Sequence, residues 1–546
     1  MNRLPRWLIV ALAVGPAVGL LVFYAWPLVT LVTEAVTATS IADTLTRSST
    51  WEVLWFTTWQ AVASTVATIA IGLAPAYVLA RFEVRGRAVI VGVLTAMFVL
   101  PTVVMGAAFL ALLPDSLDRT VWAVLGAHVV FNLAVVVRVV GSLWEHLPTD
   151  MEAAAATLGA SRWKVVTRVS LPLVRPAIVA AATIVFLFTF TSYGVIRLLA
   201  APGTRTIEVE VWRRATQLGD IGGAAVLALL QLAVLIALVW WSTIAQRHYA
   251  QALDLLPTAP RRRPRGAERR FVALVAGATL LVAAAPLVAL VIRSFSTPTG
   301  WSATAWTDLG RSEVRPGIRV GVDPFEAMVN SLVNAAWATG IAVAIGALAS
   351  LAVVAAGTAG RALDGGLMLP LATSAVTIGF GMLITFDTDP VDWRASWWLV
   401  PVGHALIAVP FVVRTCVGVL RSVDPELTAA AATLGASPRR AWQATVVPFL
   451  RRPLAVGAAL AAAISLGEFG ATSLLSRSGG ETMPIAIEQL LGRTGSILQA
   501  QGFVLATMLA VATVILVVVV ERLQAPRPGR CRSCTTTPGW RAAPSP

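Results

Sequence analysis

Few side chains in this sequence could do chemistry, and Glu468 is the one whose placement costs most. It stands in SLGEFGATSLL, Ser465 to Leu475, among small and apolar residues. In a bilayer an ionised carboxylate there costs roughly 2.5 to 3.5 kcal/mol on insertion scales, so it must face a partner or an aqueous path. Attraction of cations and a polar contact between two halves of the molecule are both open to it. His128 and His404 also fall in apolar runs, where they either hydrogen-bond between helices or line a pore. Arg138 and Arg414 lie near span ends, from which long basic side chains snorkel to the interface. Four histidines scattered along the chain do not form the convergent set an enzyme needs. Of the cysteines, Cys416, Cys531 and Cys534, only the last two are close, and CRSC offers two of the usual four zinc ligands. There is no GxxxxGK[ST] phosphate loop, and Lys164 is the only lysine, so the chain is not expected to hydrolyse ATP itself. No catalytic residue, metal or cofactor is expected.

The elements that hold these residues are membrane spans. The 546-residue chain is 57% hydrophobic, and its mean hydropathy of +0.78 exceeds the usual soluble range. Apolar runs able to cross ~30 Å of hydrocarbon number about twelve, six in each half. They run from Trp7 to Val36, Trp51 to Ala80, Ala88 to Leu113, Val121 to Leu147, Leu173 to Ala200 and Ile221 to Gln246. The second six are Phe271 to Arg293, Glu326 to Gly357, Gly365 to Phe386, Trp397 to Leu420, Pro453 to Leu475 and Gln499 to Val520. With the N-terminus inside, about 27 of the 42 Lys and Arg fall on the cytoplasmic side, which predicts both termini there. The run from Trp7 is too long for a signal peptide and reads as a retained span. RRRPRGAERR, Arg261 to Arg270, becomes a cytoplasmic linker. The net charge of +14 then belongs beside anionic lipid of the bilayer, not nucleic acid.

A shift of 276 residues places His128 on His404, Arg138 on Arg414, Ser192 on Glu468 and Gly194 on Gly470. The halves are one unit, duplicated. An even number of spans per unit gives both copies the same orientation, related by a pseudo-two-fold axis along the membrane normal with a pathway at that axis. Gly194 and Gly470, with small neighbours, suit close helix packing. The phrase AAAATLGAS recurs at Ala153 to Ser161 and Ala429 to Ser437, between a unit's fourth and fifth spans. Ala153 to Leu158 is helix-forming, Gly159 supplies a left-handed stop, and Ser161 starts a second helix ending near Pro172. Ser437 followed by Pro438 pairs N-cap with first helical position, so Gly435 is a stop and Ser437 a start.

EAAAATLGASRWKVVTRVSLP and TAAAATLGASPRRAWQATVVP resemble the cytoplasmic loop of type I permease subunits of bacterial ABC importers, in which Glu-Ala-Ala is followed by Gly three residues on and an Ile-x-Leu-Pro ending. The family's Glu position holds Ala153 and Ala429; Glu152 stands one residue earlier, and the second copy has Thr428 there. The resemblance implies that Glu152, Ala153, Ala154 and Gly159, and Ala429, Ala430 and Gly435, couple the chain to an ATPase. It implies two ATP-binding cassette subunits and an extracytoplasmic substrate-binding protein as partners, and a bacterial cytoplasmic membrane location. Fused double permeases are most similar to those for ferric iron and thiamine, and SLGEFGATSLL and LPTVVMG, Leu100 to Gly106, resemble segments of such permeases. LATSAVTIGFG places Ser374 where the first half has Pro101.

The expected fold is therefore all-α and polytopic, with two tandem six-helix units. Residues 1–50 hold the first span and an external loop. Residues 51–246 form the first unit, with its loop at 148–172, and residues 247–270 the linker. Residues 271–325 hold the seventh span and an external loop, 326–520 the second unit with its loop at 421–450, and 521–546 a disordered tail. Glu468, Ser192, His128 and His404 are the candidates for the translocation path. A secondary transporter with parallel six-helix repeats is the alternative, against which the two loops and the scarcity of intramembrane acids count.

Overall fold

The computed structural model describes residues 6–249, 261–297, 300–309, 313–315, 318–319, 322–387, 391–477, 479–493 and 496–524. Cys531, Cys534, the tail beyond Gln524 and the first part of the linker lie outside the described residues. Among the described residues nine helices are long and apolar enough to cross a membrane, or twelve when each of three bent pairs is one span.

Each unit is built on a tight crossing of its second and fourth spans, Ser48–Arg81 on Val121–His146 and Pro324–Ala355 on Leu399–Ser422. Glycine permits the approach: a Cβ on Gly72 would lie 2.8 Å from Val136, and one on Gly346 2.7 Å from Val412. The eighth span starts sharply because Asp323 accepts from the Phe325 and Glu326 N–H groups and Pro324 takes the first helical position.

Four spans that read as continuous are broken. The third runs Arg87–Val99 and then Thr102–Leu112, bent by 112°. Pro101 forbids helix at Leu100, and both residues adopt extended ψ angles of 141° and 138°. In the ninth span the bend is 99° at Thr373 and Ser374, where Ser374 caps the next helix by accepting from the Thr377 N–H. The fifth span stops at Phe190 and resumes at Gly194, and the eleventh stops at Gly467 and resumes at Thr472. Glu468 thus sits in a helix break and not within a turn of helix.

The first span of each half packs on the other half. Trp7–Ala35 lies against the second unit: the Tyr24 and Thr373 hydroxyls are 2.6 Å apart, and Phe23 joins Phe386, Trp393 and Trp398 in one aromatic cluster. The seventh span, Ala267–Ser294, packs on both halves of the first unit's third span.

Candidate functional site

The two broken fifth-type spans meet at the centre of the molecule. Tyr193 and Phe469, 276 residues apart, are tilted against each other at 54° with ring centroids 4.9 Å apart, and both are buried. A residue that touches its own repeat equivalent lies on the symmetry axis. This pair therefore lies on the axis.

Both candidate histidines brace these breaks. His128 lies 2.9 Å from the Ser192 hydroxyl through Nε2 and 3.2 Å from Ser64 through Nδ1, joining the second, fourth and fifth spans. His404 reaches Ser465 at 2.8 Å and Thr472 at 2.7 Å, one residue on each side of the eleventh-span break. Both imidazoles are buried. Beyond the breaks, Gly194 and Gly470 press on the third and ninth spans, since added Cβ atoms would lie 2.5 Å from Thr102 Oγ1 and 3.0 Å from Val376.

Glu468 faces this centre. Its Oε1 accepts from the Ala471 N–H at 2.8 Å, closing the break as a local cap. Within its electrostatic reach lies Glu208, from the short helix Ile207–Arg213 between the fifth and sixth spans. Glu208 is 1% exposed; it accepts from Ser374 Oγ at 2.7 Å and from Gln231 Nε2 at 2.5 Å. Ser374, where the first half has proline, is what lets the ninth span donate to a carboxylate of the opposite unit. Beside the aromatic pair, Arg197 forms an ion pair with Glu488 and lies 4.2 Å above the Trp212 ring, while Trp212 Nε1 donates to the Ser473 carbonyl at 3.3 Å. Ser473 is the repeat equivalent of Arg197, and Glu488 that of Trp212. The same two positions of each half thus meet across the axis with different chemistry in each copy.

The two doubled phrases fold alike. Thr149–Thr157 and Pro425–Thr433 are short helices that end at Gly159 and Gly435, with φ of +81° and +83°. In each, the residue after the glycine donates five residues back and the glycine three back, at 3.0 to 3.1 Å. This is a Schellman turn, which satisfies the terminal carbonyls and favours a residue without Cβ. Leu158 and Leu434 project at 88% exposure, and Ala153, Ala154, Ala429 and Ala430 are exposed beside them. Glu152 points inward instead. It pairs at 2.8 Å with Arg81, the buried last residue of the second span, and accepts from Ser170 at 2.8 Å. At the second loop Thr428 and Thr445 hydroxyls, 3.1 Å apart, replace this ion pair.

Residues 68–251 and 342–527 each match the family model described as binding-protein-dependent transport system inner membrane component. The chain belongs to this family. It is an ABC importer permease subunit carrying two such domains. Among its relatives is the thiamine transport system permease protein of Escherichia coli K12, 26% identical over 88% of this chain and 89% of that one. The corresponding protein of Brucella abortus strain 2308 is 28% identical over 87% and 88%. A putative 2-aminoethylphosphonate transport system permease protein of Salmonella typhimurium is 30% identical over 28% of this chain and 57% of its own.

Sequence reasoning missed Glu208, Arg81 and the Tyr193–Phe469 pair. The aromatic pair had a signal, since both residues sit in aligned copies of the repeat. Glu208 had none: its repeat equivalent is Pro484, and IEVEVWRR resembles an external loop.

Proposed function

We propose that this permease conducts thiamine inward, with Tyr193 and Phe469 as the gate, and Glu208 and Glu468 as the groups that stabilise the cargo's positive charge when the gate parts. The observation that carries the reading is a pair of carboxylates, buried Glu208 and half-buried Glu468, whose hydrogen-bond partners among the described residues are neutral. Such a pair is costly unless a cation visits it. The full-length relatives carry thiamine in their names, which favours it over ferric iron. A secondary transporter would not need two matched exposed turns.

In this reading two copies of a separate ATPase dock, one on each Schellman turn, and a substrate-binding protein delivers cargo from the opposite face. The chain itself has no ATPase role. Both termini and the Arg261 to Arg270 linker face the cytoplasm, which the arginine bias supports. An introduced Arg262→Cys should resist membrane-impermeant thiol reagents in intact cells; labelling from outside reverses the orientation. A partner moves the gate only by binding its two states unequally. Gly159→Val and Gly435→Val place a branched side chain at a left-handed position, at roughly 1 kcal/mol or more each, beside the exposed leucines. Each variant is expected to insert normally but to lose ATPase co-purification and thiamine-stimulated hydrolysis in proteoliposomes. Normal binding and stimulation in both variants would make these turns ordinary connectors.

A further inference from the structure

A groove of about 1580 Å³ opens where the linker meets the first unit, well above the roughly 300 to 1,000 Å³ of ordinary small-molecule pockets. Its mouth is basic and its depth apolar. One wall is a single stripe of the seventh span, Arg269, Val272, Ala273, Ala276, Gly277 and Leu280, at helical spacing. Facing it are Val89 and Ile90 at the start of the third span. The stripe from Arg269 to Leu280 rises about 16 Å, close to half of the ~30 Å hydrocarbon core. The trough is therefore one leaflet deep. Small residues keep it open: nothing lies within 4 Å of a Cβ built on Gly277.

The mouth carries five arginines against two glutamates. Both acids are already matched, Glu83 by Arg263 at 2.9 Å and Glu145 by Arg87 at 2.6 Å and Arg261 at 3.1 Å. Arg85 has no partner among the described residues, and Arg269 uses only Nε, toward the Pro264 carbonyl at 3.3 Å. The mouth is also fixed in place. Arg262 and Phe82 form a parallel bridge, with Glu83 N–H donating to the Arg262 carbonyl and Arg262 N–H to the Arg81 carbonyl, each at 3.0 Å, and the Arg262 guanidinium covers the Phe82 ring at 4.3 Å.

We propose that this groove holds one anionic phospholipid, its phosphate between Arg85 and Arg269 and an acyl chain along Ala273, Gly277 and Leu280. Which leaflet supplies it rests on the orientation proposed above, but binding itself does not, so the thiol-labelling result and the lipid result fail separately. The test uses the full-length purified permease, mixed with equal amounts of dioleoyl phosphatidylglycerol and dioleoyl phosphatidylcholine and read by native mass spectrometry. One phosphatidylglycerol per chain is expected in preference to phosphatidylcholine. Arg85→Gln and Arg269→Gln should each lower its retention about fivefold, the weight of one basic residue at an anionic surface. Gly277→Trp, which fills an open trough, should exclude it while thermal unfolding stays unchanged. Equal retention of both lipids, displacement by inorganic phosphate alone, or undiminished phosphatidylglycerol in all three variants would overturn the assignment.

Discussion

Glu208 and Glu468 are held from opposite units, one by Ser374 and Gln231 and the other by a backbone N–H. Replacing either with glutamine keeps the shape and removes a negative charge. Loss of one partner of a buried charged contact costs about 2 to 5 kcal/mol, so each glutamine variant should raise the transport KM for thiamine by at least about tenfold. Radiolabelled uptake into proteoliposomes measures it, with intact ATPase co-purification as the sign that the fold survives. Full-rate uptake by both would remove the carboxylates from the path. Glu468 was legible in the sequence because a lone acid in SLGEFGATSLL stands out. Its partner was not, because no spacing rule relates Glu208 to Ser374, 166 residues away on the other unit. Chemistry made by a contact between repeats is invisible to a comparison of the repeats.

Helix breaks and turns divide along the same line. The Gly159 and Gly435 turns follow from local rules alone, a left-handed stop followed by a new helix start, and the structure has them where the residues put them. The break at Pro101 was equally local, yet the runs from Ala88 to Leu113 and from Gly365 to Phe386 are apolar throughout, and hydropathy reports length without direction. The breaks at Ser192 and Glu468 depend on the neighbouring spans that press on Gly194 and Gly470. The two doubled loops also differ in how they are tethered. Arg81 to Glu152 is a short ion pair with one member 7% exposed, whereas Thr428 to Thr445 is a single hydroxyl contact. Backbone amides of Pro425–Thr433 should therefore exchange with deuterium faster than those of Thr149–Thr157 in the isolated permease. Arg81→Gln should bring the first loop's rate up to that of the second while leaving the second unchanged. Equal rates in the unaltered protein would show that the ion pair adds no stiffness.

On the scale of the whole molecule, exchange of first spans makes the halves mutually dependent. Tyr24, Phe23 and Trp26 complete the second unit's aromatic cluster, and the seventh span completes the first unit's third span. Separately encoded fragments cut at residue 255 should consequently reassemble in one membrane, and an affinity tag on one should retain the other. Omitting residues 1–36 from the first fragment should abolish most of that retention, although those residues belong to the half that carries the tag. Retention that ignores the deletion would mean the exchanged span contributes nothing to assembly. The exchange also sets a timetable for biogenesis. Tyr24 leaves the ribosome 349 residues ahead of Thr373, and at ordinary synthesis speeds of 5 to 20 residues per second the first helix must wait roughly 17 to 70 seconds for its binding surface to be made. During that interval lipid solvates the face that will meet the second unit, so the newborn chain is open to membrane proteases and insertion chaperones for most of its translation, and slowing the ribosome between residues 24 and 373 lengthens the exposure.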